Sequence, residues 1–250
     1  MRFLASLFWF LAGFTLHAAS ETPPLRVLCW NIHHGVGEDG QLDLERIAKI
    51  IRDAEPDLVA LQEVDQHCLR SGNTDQTAEL ARLTTMTGVF GKAMDFQGGG
   101  YGQAILTRHP VLNSSVHQLP GKGEPRIAFE VALSIDGHEM RMITLHLDLD
   151  AKQRLTQAEA LVKLVENRTQ PTIICGDFNA TPESPPLMAF ARDWKAVPKK
   201  KQAFTCPAGK PTTEIDHFFV RGFTHTAPLT VLPEAVASDH RPLLAEFLRN

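Results

Sequence analysis

The sequence has no surplus of positive charge: 25 Lys and Arg stand against 29 Asp and Glu, a formal net charge of −4. A protein that coats nucleic acid needs a broad basic face to displace counterions, so this balance speaks against a general nucleic-acid binder. It leaves room for a local positive site, or for a bound metal that supplies the charge. None of the 4 cysteines, Cys29, Cys68, Cys175 and Cys206, has CxxC spacing, which argues against structural zinc. The apolar run Phe3–Leu16 is too short for a membrane span, which takes about 20 residues. No short-period repeat is visible and no long linker divides the chain, so solenoid and multidomain architectures are set aside.

What is present is enough for one large domain. The 250 residues are 43% hydrophobic, sufficient for a sizeable core without staples. The N-terminus has the three-part form of a secretory signal: a positive start at Arg2, the apolar run, then small residues at Ala18, Ala19 and Ser20 where a peptidase could cut. Residues 1–20 are therefore expected to be a cleaved signal and 21–250 one domain, secreted or periplasmic. Export permits disulfides. Cys29 and Cys175 lie in apolar runs and are expected as buried thiols, whereas Cys68 and Cys206 lie in polar sequence and are the candidate bridge.

Leu25–Trp30 reads as a buried strand. Asp43 can cap a helix carrying Leu44, Ile47, Ile50 and Ile51, ended by Pro56 and Asp57. Leu58–Leu61 is a second strand with Glu63 at its end, and a helix follows over Gln76–Thr87. The run Gly98-Gly99-Gly100 reads as a turn or mobile loop. Tyr101–Thr107, Val111–Leu119, Ile127–Ile135 and Met140–Leu147 follow as strands, with Asp136-Gly137 a hairpin turn. Ala151–Asn167 is helical, Thr172–Cys175 is a strand running into Gly176-Asp177, and a helix follows Ser184. Ile215–Val220 and Leu243–Leu248 are the last strands. The expected class is α/β: two mixed β-sheets packed face to face with helices outside, a four-layered sandwich.

The polar residues fall at strand ends. Asn31, Glu63, Asp177 and Asn179 follow apolar strands, His146 lies within one, Asp216 opens one, and Asp239-His240 precedes the last. Strand ends at one edge of a sandwich can converge. Each alone reads as a turn residue or a core histidine; together they match a task. Asn31 and Glu63 offer hard oxygen ligands suited to Mg²⁺, Mn²⁺ or Ca²⁺. Asp216 with His240 would be an acid–base pair. Asp177 could position or deprotonate a water, Asn179 could hold that water or a phosphate oxygen, and His146 could protonate a leaving oxygen or bond a non-bridging one.

Leu28-Cys29-Trp30-Asn31-Ile32, Leu61-Gln62-Glu63-Val64, Tyr101-Gly102-Gln103-Ala104-Ile105-Leu106-Thr107, Thr144-Leu145-His146-Leu147, Gly176-Asp177-Phe178-Asn179, Ile215-Asp216-His217 and Ser238-Asp239-His240-Arg241-Pro242 resemble, in order, the motifs of the endonuclease/exonuclease/phosphatase superfamily, the deoxyribonuclease I-like phosphoesterases. The likeness runs from Leu25 to Leu248 and is nearest to short bacterial members. It implies hydrolysis of a phosphoester by in-line attack of water, with Mg²⁺ or Mn²⁺ as cofactor. It implies that Asn31 and Glu63 hold the metal, with Asp239 near a second position, and that Asp216 orients His240. It places Tyr101 and Arg126 against the substrate beside Asn179. His217 departs from the family's usual Tyr and is expected to alter packing more than chemistry. Loops are short, with no insertion to grip a DNA groove, and no exposed aromatic hairpin suggests a membrane-acting enzyme. Lys199-Lys200-Lys201 reads as a solvated loop. The expected partner is a phosphoester substrate (nucleic acid, phospholipid headgroup or small phosphoester), with no stable protein partner and a monomeric state. The alternative is a catalytically inactive binding module on the same fold, which predicts broken metal and histidine motifs; here they are intact.

Overall fold

The computed structural model describes residues 23–199 and 203–249; the expected signal segment, Lys200 and Lys201 lie outside them. In chain order the elements are β1 (Leu25–Asn31), α1 (Leu44–Ala54), β2 (Leu58–Gln66), α2 (Gln76–Thr84), β3 (Thr87–Phe96), β4 (Gly99–Thr107), β5 (Val111–Gln118), β6 (Ile127–Ile135), β7 (His138–His146), α3 (Ala151–Val165), β8 (Thr172–Asp177), α4 (Pro185–Phe190), β9 (Lys195–Ala196), β10 (Asp216–Arg221), β11 (Phe223–His225), β12 (Thr230–Val231) and β13 (Leu243–Arg249). One sheet runs β11-β13-β1-β2-β4-β3 with β12 on β13, and the other β5-β6-β7-β8-β10-β9. Both are mixed: β1 pairs parallel with β2 and antiparallel with β13, and β7 pairs parallel with β8.

Alternation along the strands builds the layers, because successive side chains point to opposite faces. Val27 and Cys29 of β1, Leu58 and Ala60 of β2, Met142 of β7, Ile173 and Cys175 of β8 and Phe218 of β10 fill the space between the sheets. Their neighbours Leu28, Trp30, Val59 and Leu61 turn outward onto Ile47 and Ile51 of α1 and Leu80 of α2. On the far side Ile143, Leu145, Ile174 and Phe219 meet Leu161 and Val165 of α3 and Phe190 of α4. The result is the expected four-layered sandwich. Each such buried Leu, Ile or Phe contributes about 1.5–3 kcal/mol.

Local signals set the element ends. Asp43, Asp75 and Asp150 each accept from a first-turn backbone N–H of α1, α2 and α3, satisfying donors that the helix cannot. Helix α1 stops at Ala54, where Glu55 turns left-handed ahead of Pro56, and α2 stops at Thr84, three residues short of the expected end. Asp136 and Gly137 have φ of 48° and 79°, the signature of a tight hairpin turn.

Two expectations are corrected. The glycine run is a turn only at Gly98: Gly99 and Gly100 begin β4, which pairs with a strand, β3, that the sequence pattern hides. Glycine is required within β3, since a Cβ on Gly91 would come within 2.4 Å of the Phe129 ring from the facing sheet. The Cys68–Cys206 bridge does not exist, and all the cysteines are free thiols. Cys68 is buried with its thiol donating to the Gly100 carbonyl at 3.2 Å, while Cys206 lies against His240.

Candidate active site

Register and parity assemble the site. Across three adjacent strands His146 pairs with Asp177, and Asp177 with Asp216. Each lies on its strand's inner face, two or four residues along from Met142, Cys175 and Phe218 of the core between the sheets. Asn31 stands in the same relation to Cys29 on the opposite sheet. The apolar interior therefore becomes polar at one end of the sandwich. Gln62 and Thr144 mark the transition, with the Gln62 amide donating to the Thr144 hydroxyl at 2.8 Å across the sheets.

Glu63 arrives by a different route. It lies inside β2 rather than after it, at a bulge where Gln62 and Glu63 together oppose the stretch of β4 between Gly102 and Ala104. Regular alternation would put Glu63 on the helix side with Leu61. Its φ of 57° and the extra residue re-aim the carboxylate, and Val64 takes the helix-facing position instead.

The Asn31 amide Nδ2 lies 2.9 Å from Glu63 Oε1 and 3.2 Å from Asp177 Oδ2. Two carboxylates, the half-buried Glu63 and the buried Asp177, thus converge on one donor. Burial raises the Glu63 carboxyl, and the Asp239 charge adds to that rise. Such a concentration of carboxylate oxygen fits a divalent cation held by Glu63 and Asn31, with Asp239 beside them. Asn31 turns Nδ2 toward Glu63 while Oδ1 faces the His33 N–H at 3.1 Å, so its use as a ligand beside Glu63 requires the amide to rotate.

Beside this lies a relay. His240 Nδ1 is 2.9 Å from Asp216 Oδ2, which also accepts from the Thr205 hydroxyl. His240 Nε2 lies 3.6 Å from Asp177 Oδ2, and His146 Nε2 lies 3.5 Å from the same oxygen. Burial disfavours charge on His240, but the Asp216 carboxylate outweighs it and holds the imidazole well above its usual value. Asp216 stays ionised for the reciprocal reason, against its own burial. Burial and repulsion from Asp216 push the Asp177 carboxyl up to about 7. Burial, with the Arg126 and His240 charges, pushes His146 well below its usual value, so it is neutral. Asn179, at φ 47°, donates its backbone N–H to Asp177 Oδ1 at 2.8 Å and its amide to the Leu147 carbonyl at 2.9 Å.

These groups open into a cavity of about 320 Å³ whose walls include Tyr101, Arg126 and Asp239. Arg126 is buried, pairs with Glu124 at 3.2 Å and has an Nε without a partner. Burial and the Glu63 charge raise the Tyr101 hydroxyl, keeping it protonated. All the sequence-predicted residues therefore gather at one end.

Sequence reasoning missed others. Arg70 reaches the cavity held by two contacts of 2.8 Å to the buried Asp65, its guanidinium 4.6 Å above the Phe96 ring and 5.3 Å from that of Tyr101. No motif marks it. Lys199, expected in a solvated loop, is buried: it donates to the Asp216 carbonyl, pairs with Glu214 at 3.0 Å and approaches His217 Nδ1 at 3.1 Å. His217 completes that contact from the outer face of β10, with Nε2 2.8 Å from the Ala180 carbonyl and its ring edge-on to Phe178.

The pattern of the Endonuclease/Exonuclease/phosphatase family matches residues 28–240. The chain belongs to this family. Over 167 residues it is 28% identical to the Cwh43 protein of Schizosaccharomyces pombe, a match covering 66% of this chain but only 17% of that protein. Among solved structures, an endonuclease/exonuclease/phosphatase from Beutenbergia cavernae superposes with a TM-score of 0.75 at 24% identity, covering 92% of this chain and 72% of that one. The mannosyl-6-phosphatase of Bacteroides thetaiotaomicron gives 0.72 at 22% identity, covering 90% and 99%. At these identities the superpositions establish the shared fold.

Proposed function

We propose that this protein is a divalent-cation-dependent hydrolase of phosphoester bonds, acting by in-line attack of water. The observation that carries the reading is the convergence of Glu63, His146, Asp177 and His240 on one cavity, with buried Asn31 donating to Glu63 and Asp177 and buried Asp216 holding His240. Glu63 and Asn31, with Asp239, would hold Mg²⁺ or Mn²⁺, which polarises a phosphoryl oxygen and offsets its charge. Asp216 fixes the ring orientation of His240 and keeps it charged, so Nε2 presents a proton to a non-bridging or leaving oxygen. Asp177, poised near neutral pH, orients and deprotonates the attacking water, and Asn179 keeps the Asp177 carboxylate in place. Neutral His146 hydrogen-bonds a phosphoryl oxygen, and Tyr101 and Arg126 grip the remainder of the phosphate. The leader-like residues 1–20 support export to the periplasm or beyond.

The test is product release by the protein lacking residues 1–20, with Mg²⁺, Mn²⁺ and EDTA arms. The substrates are plasmid DNA, RNA, sphingomyelin, phosphatidylinositol phosphates, mannose 6-phosphate and bis-p-nitrophenyl phosphate. Turnover that EDTA abolishes and that His240→Ala loses is expected. A folded protein that binds neither Mn²⁺ nor any of these substrates productively is the opposite result, and it would make the chain a binding module.

A further inference from the structure

Immediately after Asn31 the chain makes a turn that the proposed reaction does not use. His33 and His34 have φ of 45° and 44°, a left-handed conformation that side-chain-bearing residues keep only where their surroundings enforce it. The enforcement is visible. Gln76, fully buried, donates to the His34 carbonyl at 2.7 Å and accepts from the Asp65 N–H at 2.9 Å. The two imidazoles stand edge to face, 4.5 Å between centroids.

Their nitrogens are arranged for ligation. His33 Nδ1 lies 3.1 Å from the Val36 carbonyl. A carbonyl can only accept, so Nδ1 is the donor and Nε2 is the nitrogen left to face an ion. His34 Nδ1 is buried and has no hydrogen-bond partner. One ligating atom from each of His33, His34 and Glu63 falls within 4.8 Å of the others. Atoms sharing an ion about 2.1 Å from each lie at most about 4.2 Å apart, so small side-chain movements close the set. Carboxylate and amide oxygens alone favour Mg²⁺, whereas imidazole nitrogen favours ions further along the first transition series.

We propose that His33 and His34 join Glu63 in a subsite for a later divalent transition ion such as Co²⁺ or Zn²⁺, at which Mg²⁺ competes poorly. The proposal rests on Glu63 being a cation ligand, as in the functional reading above.

The test is Co²⁺ titration of EDTA-treated, dialysed protein lacking residues 1–20, in excess Mg²⁺, followed by visible absorption and paramagnetically shifted proton NMR. The wild type is expected to bind Co²⁺ despite the Mg²⁺ and to show shifted, exchangeable imidazole N–H signals. His33→Asn and His34→Asn, chosen because Asn tolerates left-handed backbone, are expected to weaken Co²⁺ binding at least about tenfold, and Glu63→Gln likewise. If both histidine variants bind Co²⁺ as the wild type does while Glu63→Gln loses it, the histidine subsite is refuted and the Glu63 assignment stands. If Glu63→Gln also binds normally, the Glu63 assignment itself is wrong. Absence of shifted imidazole signals in the wild-type Co²⁺ complex overturns the proposal without recourse to any variant.

Discussion

Asp216 holds His240 through a 2.9 Å contact between Oδ2 and Nδ1, with both residues almost wholly buried. The carboxylate raises the imidazole, so the pair stabilises the fold fully below the ordinary histidine value of 6.5 and loses that contribution only as the pH climbs through the raised value. Asp216→Asn is expected to lower turnover by about 10²–10⁴. Nitrogen-detected NMR of His240 should show it titrating closer to its ordinary value. An imidazole still charged well above neutrality in the variant would assign the shift to another group.

Glu63 carries a burial cost in the absence of a cation. Its raised carboxyl favours the folded state below the ordinary value of 4.5, and that contribution is lost as the pH rises through the shifted value. Glu63→Gln should therefore unfold at a higher temperature than the wild type in EDTA at pH 8, while needing more Mg²⁺ or Mn²⁺ for turnover. Thermal scans with and without metal check both. A variant less stable in EDTA would mean that protein groups already compensate the charge.

Arg70 neutralises Asp65, whose side chain is fully buried. Removing one partner of a buried pair leaves the other charged and unsolvated, at a cost of about 3–5 kcal/mol. Arg70→Met is expected to destabilise by this order and Asp65→Asn with Arg70→Met to recover much of it, measured by urea unfolding. Additive losses would show that stacking on Phe96 and Tyr101 matters more than charge.

On the opposite face of β6 from Phe129 and Val131, Glu130 gathers Arg168, Arg141 and His117 around a nearly inaccessible carboxylate. Burial opposes its charge, yet Arg168 and His117 hold it below the ordinary 4.5. That stabilisation is present above 4.5 and is lost as the pH falls through the lowered value. Glu130→Gln should cost stability at pH 7, by about 3–5 kcal/mol, and progressively less toward pH 3. A penalty independent of pH would mean that the side chain acts through packing alone.

Much of this was legible in the sequence because strand parity and residue type agree there. Asn31, Asp177 and Asp216 continue the inner-face alternation of Cys29, Cys175 and Phe218, so their place at the end of an apolar run already aims them into the site. Glu63 was found by its motif, but the way it points was not readable: it depends on a bulge, which alternation alone does not reveal. Strand β3 was hidden because Gly88, Gly91 and Lys92 interrupt its pattern, and Gly91 is there for the Phe129 ring. Lys199 resembled its lysine neighbours in sequence; only the fold brings it beneath Asp216. Arg70 gained its place from Asp65 and two aromatic rings brought together by β2, β3 and β4.

The Trp30 indole donates to the His240 carbonyl at 2.8 Å, and β1 pairs with β13 along most of its length. During synthesis β1 must wait for β13, so a nascent chain keeps that edge of β1 unpaired and lacks His240 until the other described strands have been made. Premature termination between Glu63 and His240 would yield fragments that carry the proposed cation ligands Asn31 and Glu63 without the histidine proposed to work beside them.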